Sequence, residues 1–183
     1  MIDDTTSNLP DHLDDTPWLS PDELRAWITL AAFLESVPTS VEAQLKRDAG
    51  MNRFEYSILA MLSEEPGHTL AMSDLAQVAF GSLSRLSHAV SRLEQRGLVT
   101  RCAGAAGRRH NVVRLTDDGL AALESAAPRH AAEVRRLVID PLDDAELAML
   151  PRLLSKMIAA AAPDRADELR TLIENVVDRN HPT

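Results

Sequence analysis

Apolar residues recur at helical spacing along most of the chain and alternate with polar residues only near its middle. The first periodic stretch predicts a long helix that begins after Ser20 and reaches Leu45, with Pro38 either kinking it or dividing it into two. A second helix is predicted over residues 53–63, because Asn52 is a typical N-cap and the apolar residues that follow share one side. The pattern therefore indicates a helical start to the fold.

The middle of the chain has the pattern of two helices joined by a tight turn. Residues 74–80 form a short predicted helix capped by Ser73, and Gly81 and Ser82 supply the turn. Residues 83–96 form a longer predicted helix, which Gly97 ends. The spacing of its apolar residues predicts one core-facing stripe, made of Leu83, Leu86, Val90 and Leu93.

Two short strands are predicted directly after this helix. Residues 98–102 and 111–115 have strand character, and residues 103–110 between them form a Gly- and Arg-bearing tip. A short helix, a turn, a longer helix and a two-stranded wing make a winged helix-turn-helix, which we place at residues 52–115. That device sets its second helix into the major groove of DNA.

Helical spacing returns after the wing and continues nearly to the end of the chain. Thr116 caps a helix that is predicted to run to Val138, with Pro128 disturbing it. Asp143 begins a capping box and a further helix that Pro163 closes, and a last helix is predicted over 164–179. The fold class is therefore mainly α with a small β-wing, preceded by an acidic tail at residues 1–17 that we expect to be mobile.

Charge is segregated along the chain, which changes the meaning of its overall acidity. The formal net charge is −9, yet residues 73–115 carry seven arginines against two acidic residues, a local charge of +5. The segments before and after it carry −9 and −5. Since the local field governs binding, the basic segment favours contact with nucleic acid through one face only.

The polar side of helix 83–96 and the wing tip carry the candidate DNA contacts. Arginine and serine side chains suit base edges and phosphates, and the amide groups at the start of a helix can hold a phosphate. The alternative is an ordinary solvated face and a flexible charged loop. The candidates are Ser82, Ser84, Arg85, Ser87, His88, Ser91 and Arg92 on the helix, and Arg108 and Arg109 at the wing tip.

Other classes of function have little support. His88 lies near two serines, but no carboxylate is spaced to orient its imidazole for catalysis. No Cys/His pair has zinc spacing, so we expect no metal, no cofactor and no enzyme activity. Cys102 is either a redox sensor or a small strand residue. No apolar run approaches the ~20 residues that a membrane helix needs, and we expect no signal peptide because the acidic start has no apolar region of the required kind.

These segments resemble the MarR family of bacterial transcription regulators over roughly residues 20–162. The resemblance is carried by the run Leu83–Glu94, by Gly97–Arg101, by Arg108-Arg109 and by the Leu-Thr-Asp-Asp-Gly sequence at 115–119. Two features depart from the family pattern. Gly107 stands where an acidic residue usually orients the wing arginines, and the helix after Pro163 lies beyond the usual end.

The resemblance implies a cytoplasmic homodimer with a dimerisation platform built from the terminal helices. The platform would use residues 18–48 and 116–162, while residues 164–183 would add one more helix to it. Each protomer would bind half of a palindromic operator on double-stranded DNA. We expect a repressor that a small aromatic or anionic ligand releases, as happens with many family members, and no role at a membrane.

Two alternatives remain open at this stage. The first concerns the aromatic residues Trp18, Trp27, Phe33, Phe54 and Tyr56, which either line a ligand cleft or pack in the core of amphipathic helices. The second is that the winged helix is a protein-interaction or dimerisation module that never binds DNA. The arginine-rich, acid-poor helix argues against the module, because the cores of protein interfaces are depleted in charge.

Overall fold

The structure of the chain, a computed structural model, describes residues 17–78, 82–102 and 112–180, with the side chains of 77–78 and 179–180 left out. The predicted turn residue Gly81, the wing-tip residues Arg108 and Arg109, and almost all of the acidic tail lie outside these ranges. The chain divides into two compact units, Met1–Pro38 and Thr39–Thr183.

The described elements are mostly helices, joined by one small antiparallel sheet, which confirms the predicted fold class. A single helix contains Pro38, so the sequence is not divided into two helices there. In chain order the elements are α1 (Pro21–Ala49), α2 (Arg53–Glu64), β1 (Thr69–Ala71), α3 (Met72–Val78), α4 (Leu83–Gln95), β2 (Val99–Cys102), β3 (Val112–Leu115), α5 (Asp117–Val134), α6 (Asp144–Ala161) and α7 (Ala166–Asn180).

Side-chain caps fix where several helices begin. The Asn52 side chain accepts the Glu55 N–H at 2.8 Å, and Glu55 accepts the Asn52 N–H at 3.1 Å, a complete capping box. Asp143 opens α6 by a second capping box, and Thr116 accepts the Gly119 N–H to open α5. These starts confirm the sequence predictions.

The predicted cap at Ser73 is wrong. Helix α3 begins at Met72, two residues before the predicted start at residue 74, so Ser73 lies within its first turn. Its hydroxyl donates to the neighbouring Asp74 carboxylate at 3.0 Å instead of capping the helix. The start is displaced because strand β1 runs directly into the helix at Ala71.

The sheet has three strands in the order β1-β3-β2, all antiparallel. The pairs Val99↔Leu115 and Arg101↔Val113 set the register of the two predicted wing strands. Strand β1 was not predicted, because three residues are too short for alternation to be visible in the sequence. It places Leu70 opposite Val113 and so joins the wing to the end of α2.

One apolar core lies between α2, α3, α4, the sheet and the start of α5. Within α4 the buried residues are Leu86, Ala89, Val90 and Leu93. Leu83 is wrong as a core prediction, since it is 59% exposed. It is the first residue of α4, and the buried stripe starts one turn later. The other fully buried large residues of the core include Met51, Ile58, Leu59, Leu62, Leu75, Val99 and Val113.

The helices that follow the core are largely open. Helix α5 contains Pro128 and passes into a π-helical turn at Arg135–Ile139, while α6 has no buried residue at all. Large apolar side chains are exposed on α6 and on α7, which are Met149, Leu153, Leu154, Met157, Ile173, Val176 and Val177. Within the described residues, no helix has both the length and the apolar character needed to cross a membrane.

Core packing, one of the two roles that the sequence left open, accounts for only part of the aromatic residues. Phe54 is buried in the core and Tyr56 packs against it. In the first unit, Trp18, Trp27 and Phe33 are exposed, and core packing therefore does not explain them within the described chain.

Gly119 is required by the close approach of α5 to the sheet. A β-carbon at this position would overlap the Leu98 carbonyl oxygen and lie 2.7 Å from Cδ1 of Leu115. Backbone atoms on one side and a buried leucine on the other leave no room for it. This contact explains why glycine closes the Leu-Thr-Asp-Asp-Gly sequence.

We therefore expect Gly119→Ala to destabilise the winged helix despite the helix preference of alanine. Overpacking of this kind typically lowers the free energy of unfolding by ~1–3 kcal/mol. Urea denaturation followed by circular dichroism measures the change. Ala121→Ser on the exposed side of α5 serves as the control, and an unchanged midpoint for Gly119→Ala would contradict the packing argument.

A half-buried ring pair joins α2 to α5. The rings of Tyr56 and His130 are 4.4 Å apart between centroids and tilted by 51°. Burial lowers the pKa of His130 below its usual value of 6.5 and raises the pKa of Tyr56. Nδ1 of His130 is buried and has no hydrogen-bond partner among the described residues, so protonation there would meet no compensating acceptor.

Folding should therefore weaken as the pH falls below about 6.5, the unfolded-state pKa of His130. The unfolded chain binds the proton more readily than the folded one, so stability is lost with falling pH and is constant above that value. Urea titrations between pH 5.5 and 7.5 avoid most carboxylate titration. His130→Phe should flatten the profile and Tyr56→Phe should keep it, whereas an equal slope in His130→Phe would refute the assignment.

Candidate nucleic-acid interface

The buried stripe of α4 fixes which of its side chains reach the surface. Ser84, Arg85, His88 and Arg92 are exposed, whereas Ser87 and Ser91 are half-buried. Ser82 is the exposed N-cap, and its hydroxyl accepts the Arg85 N–H at 3.2 Å. The structure therefore brings most of the predicted helix residues together on one outward face.

Helix α4 is held to α2 by a buried carboxylate. Glu55 is 5% exposed, and its Oε1 accepts a hydrogen bond from Nε of Arg92 at 2.7 Å. Arg96 lies one turn further along α4, with its Nη1 4.0 Å from Oε2 of Glu55. Arg96 also donates to the Gly50 carbonyl at 3.0 Å, which ties the end of α4 to the turn before α2.

Helix α4 is held to the wing by Arg101 of β2. Its Nη2 donates to the Ser87 carbonyl at 3.1 Å and to Oγ of Ser91 at 2.9 Å. The Ser91 hydroxyl in turn donates to the Ser87 carbonyl at 2.9 Å. Glu94 accepts the Arg101 N–H at 3.3 Å and faces its guanidinium at 3.8 Å. The hydroxyl of Ser91 is therefore engaged inside the domain.

Arg85 lies over an aromatic ring at the start of α2. Its guanidinium carbon is 4.4 Å from the centroid of Phe54, a cation–π contact. Stacking restricts the side chain while leaving the guanidinium edges available for hydrogen bonds.

A cavity of about 470 Å³ opens beside Arg85, between the end of α1, the start of α2 and α4. Burial opposes ionisation of Glu42 on its wall, but the Arg53 N–H and Lys46 outweigh this and hold the pKa of Glu42 below its usual value. Cationic side chains dominate the wall, which comprises Glu42, Lys46, Asn52, Arg53, Phe54, Arg85, His88 and Arg92.

Lys46 and Arg53 were missed by the sequence analysis, because they lie outside the basic segment. Only the folded chain brings them next to α4. A signal was available in the capping pattern around Asn52, which places Arg53 at the first turn of α2.

The sequence profile of the MarR family matches residues 49–110. One similar solved structure is that of Sco3205, a MarR family transcriptional regulator from Streptomyces coelicolor in complex with DNA. Its sequence is 34% identical to this chain, and the two structures superpose with a TM-score of 0.76. The match covers 80% of this chain and 95% of that one.

A second solved structure, AbsC from the same organism, is 36% identical with a TM-score of 0.70. The match covers 85% of this chain and 99% of the AbsC chain. The chain belongs to the MarR family.

A curated family member agrees with this assignment over a shorter stretch. The HTH-type transcriptional regulator MhqR of Bacillus subtilis (strain 168) is 27% identical over 135 residues, which is 73% of this chain and 90% of its own. The predicted resemblance is confirmed, and the chain is a MarR-family transcription regulator, a class that is distinct from enzymes. In the described part, no group of three or more His, Cys, Asp or Glu could hold a metal ion.

Proposed function

We propose that this MarR-family protein is a sequence-specific DNA-binding regulator whose α4 enters the major groove. The observation that carries the proposal is the outward face of α4, where Arg85, His88 and Arg92 are exposed and no acidic side chain precedes Glu94. The Sco3205 structure, solved with DNA, supports it at 34% identity.

The side chains of this face suit different contacts. Arg85 and Arg92 offer guanidinium edges to guanine or phosphate, and Ser84 offers a hydroxyl. Ser82 stands at the start of α4, where amide groups favour a phosphate. Lys46 and Arg53 extend the positive surface toward the DNA backbone.

The remaining predicted residues have separate places in the proposal. Ser87 stays a candidate at the edge of the face, and Ser91 serves to hold α4 to the wing through Arg101. Arg108 and Arg109 lie outside the described residues and are proposed as minor-groove or phosphate contacts of the wing.

We further propose that the protein works in the cytoplasm as a homodimer on a palindromic operator. The exposed apolar side chains of α6 and α7 support this, since a patch of that kind marks an interaction surface. Two α4 helices spaced by ~34 Å would enter successive major grooves on one side of the DNA.

Repression relieved by a small ligand completes the proposal. The cavity beside α4 has the size of a small-molecule site and combines the Phe54 ring with cationic groups. A small aromatic anion bound there would occupy Arg85 and Arg92 and so compete with DNA. Such a ligand shifts the equilibrium only by its difference in affinity for the free and the DNA-bound states.

Selection of bound genomic fragments by the purified protein tests DNA recognition. We expect a palindrome whose affinity falls steeply with salt, because arginine–phosphate contacts release counterions. Arg85→Ala should weaken operator binding about tenfold or more and lower the salt slope by about one unit if it contacts phosphate.

Arg170→Ala on α7 is the matched control, since it also removes one exposed arginine and should leave operator affinity unchanged. If the wild-type protein bound no DNA fragment at any salt concentration, the protein-interaction module would replace the DNA-binding proposal.

The second experiment concerns α7. Removal of residues 163–183 should weaken the dimer, because Ile173, Val176 and Val177 present an apolar stripe beside α6. We expect at least a tenfold rise in the dimer dissociation constant, measured by sedimentation equilibrium. Ile173→Asp should reproduce part of this effect and Arg170→Ala none of it. Unchanged dimer affinity after truncation would exclude α7 from the interface.

A further inference from the structure

Glu55 is an unusual side chain for a buried position. It is the third residue of α2 and only 5% exposed, and a buried carboxylate is unfavourable unless it is paired and hydrogen-bonded. The capping box it completes with Asn52 does not require a charge, because glutamine performs the same role. The negative charge therefore calls for a reason beyond the start of α2.

The contacts of Glu55 direct that charge toward α4. One oxygen accepts the Asn52 N–H at 3.1 Å, and the other accepts Nε of Arg92 at 2.7 Å. Arg96 lies 4.0 Å away on the same side of α4. Glu55 thus joins the first turn of α2 to Arg92 of α4 and to Arg96, the residue directly after the helix.

The atom used on Arg92 matters for what the side chain can still bind. A hydrogen bond at Nε leaves the edge formed by Nη1 and Nη2 available, and this edge can bind a phosphate or the O6 and N7 atoms of guanine. The Arg92 side chain is 52% exposed, so it is not enclosed by the contact with Glu55. The geometry is that of an arginine fixed at its base with its outer edge presented to solvent.

We propose that Glu55 is a positioning residue that orders Arg92 for DNA binding before DNA arrives. The inference rests on the proposed function, since Arg92 is one of the α4 residues assigned to DNA. A free arginine loses side-chain entropy when it is immobilised at an interface. Because Glu55 already immobilises Arg92 in the folded domain, less side-chain entropy is lost when the protein binds DNA.

If the negative charge of Glu55 is removed, positioning and simple electrostatics predict opposite changes in DNA affinity. A carboxylate near α4 repels DNA phosphates, and its neutralisation alone would tighten binding. Loss of a positioning contact would instead weaken binding, because Arg92 would be ordered only on the DNA. The sign of the change in affinity therefore separates the two effects.

The test uses Glu55→Gln in the full-length protein with the selected operator. This variant keeps the volume and the capping box and removes the charge. We expect the dissociation constant to rise about threefold to tenfold, the range of fixing one flexible side chain. Glu133→Gln is the matched control, because it also removes a carboxylate that accepts from an arginine, Arg136, but one away from α4 and the cavity. Its operator affinity should be unchanged or higher.

A double-mutant cycle shows whether the effect passes through Arg92. Glu55→Gln should cause no weakening when Arg92→Ala is already present. Arg92→Lys should lose as much affinity as Arg92→Ala, because a lysine ammonium is a single point and cannot bind Glu55 at its base while presenting a separate edge to DNA. Melting temperatures of all variants, measured without DNA, report any loss of folding.

Several results would overturn the inference while leaving DNA binding by the wild-type protein intact. These are equal or tighter binding by Glu55→Gln, the same weakening with and without Arg92, or full affinity in Arg92→Lys. Full affinity in Arg92→Lys would overturn the inference even if Glu55→Gln does not fold. Failure of the wild-type protein to bind any operator would instead reject the proposed function itself.

Discussion

The rotation of α4 about its own axis is the constraint on which the functional face depends. Leu86, Ala89, Val90 and Leu93 are all fully buried, and together they allow one orientation of the helix against the core. The outward side is then determined without any reference to DNA. Because 3.6 residues make one turn, the same stripe that buries Leu86 and Val90 must expose Arg85, His88 and Arg92.

Polar contacts on two sides add what apolar packing does not specify. Glu55 holds α4 from α2, and Arg101 holds it from β2 by bonds to the Ser87 carbonyl and the Ser91 hydroxyl. Apolar packing tolerates small slides along a helix axis, whereas hydrogen bonds of 2.7–3.1 Å do not. The wing and α2 are consequently linked through the helix that lies between them.

Most of the fold could be predicted from short stretches of sequence. The parts that could not be predicted depend on residues that are distant in sequence. The caps at Asn52, Thr116 and Asp143 need only a few neighbouring residues, so they were visible in the sequence. The Glu55–Arg92 pair spans 37 positions, and no periodicity reveals it. Lys46 and Arg53 join the site for the same reason, and β1 became a strand only because β3 lies beside it.

Helix α5 connects the winged helix to the open C-terminal helices along the chain. Helix α5 starts against the wing, where Gly119 meets Leu98 and Leu115 without space for a β-carbon, and its later turns lead toward α6 and α7. A partner that buried the apolar side chains of α6 would act on the segment that follows α5, and the first turn of α5 is fixed to the wing. Within the packed domain, a displacement of the first turn of α5 would be carried to β2, to Arg101 and to α4, because close-packed interiors transmit strain.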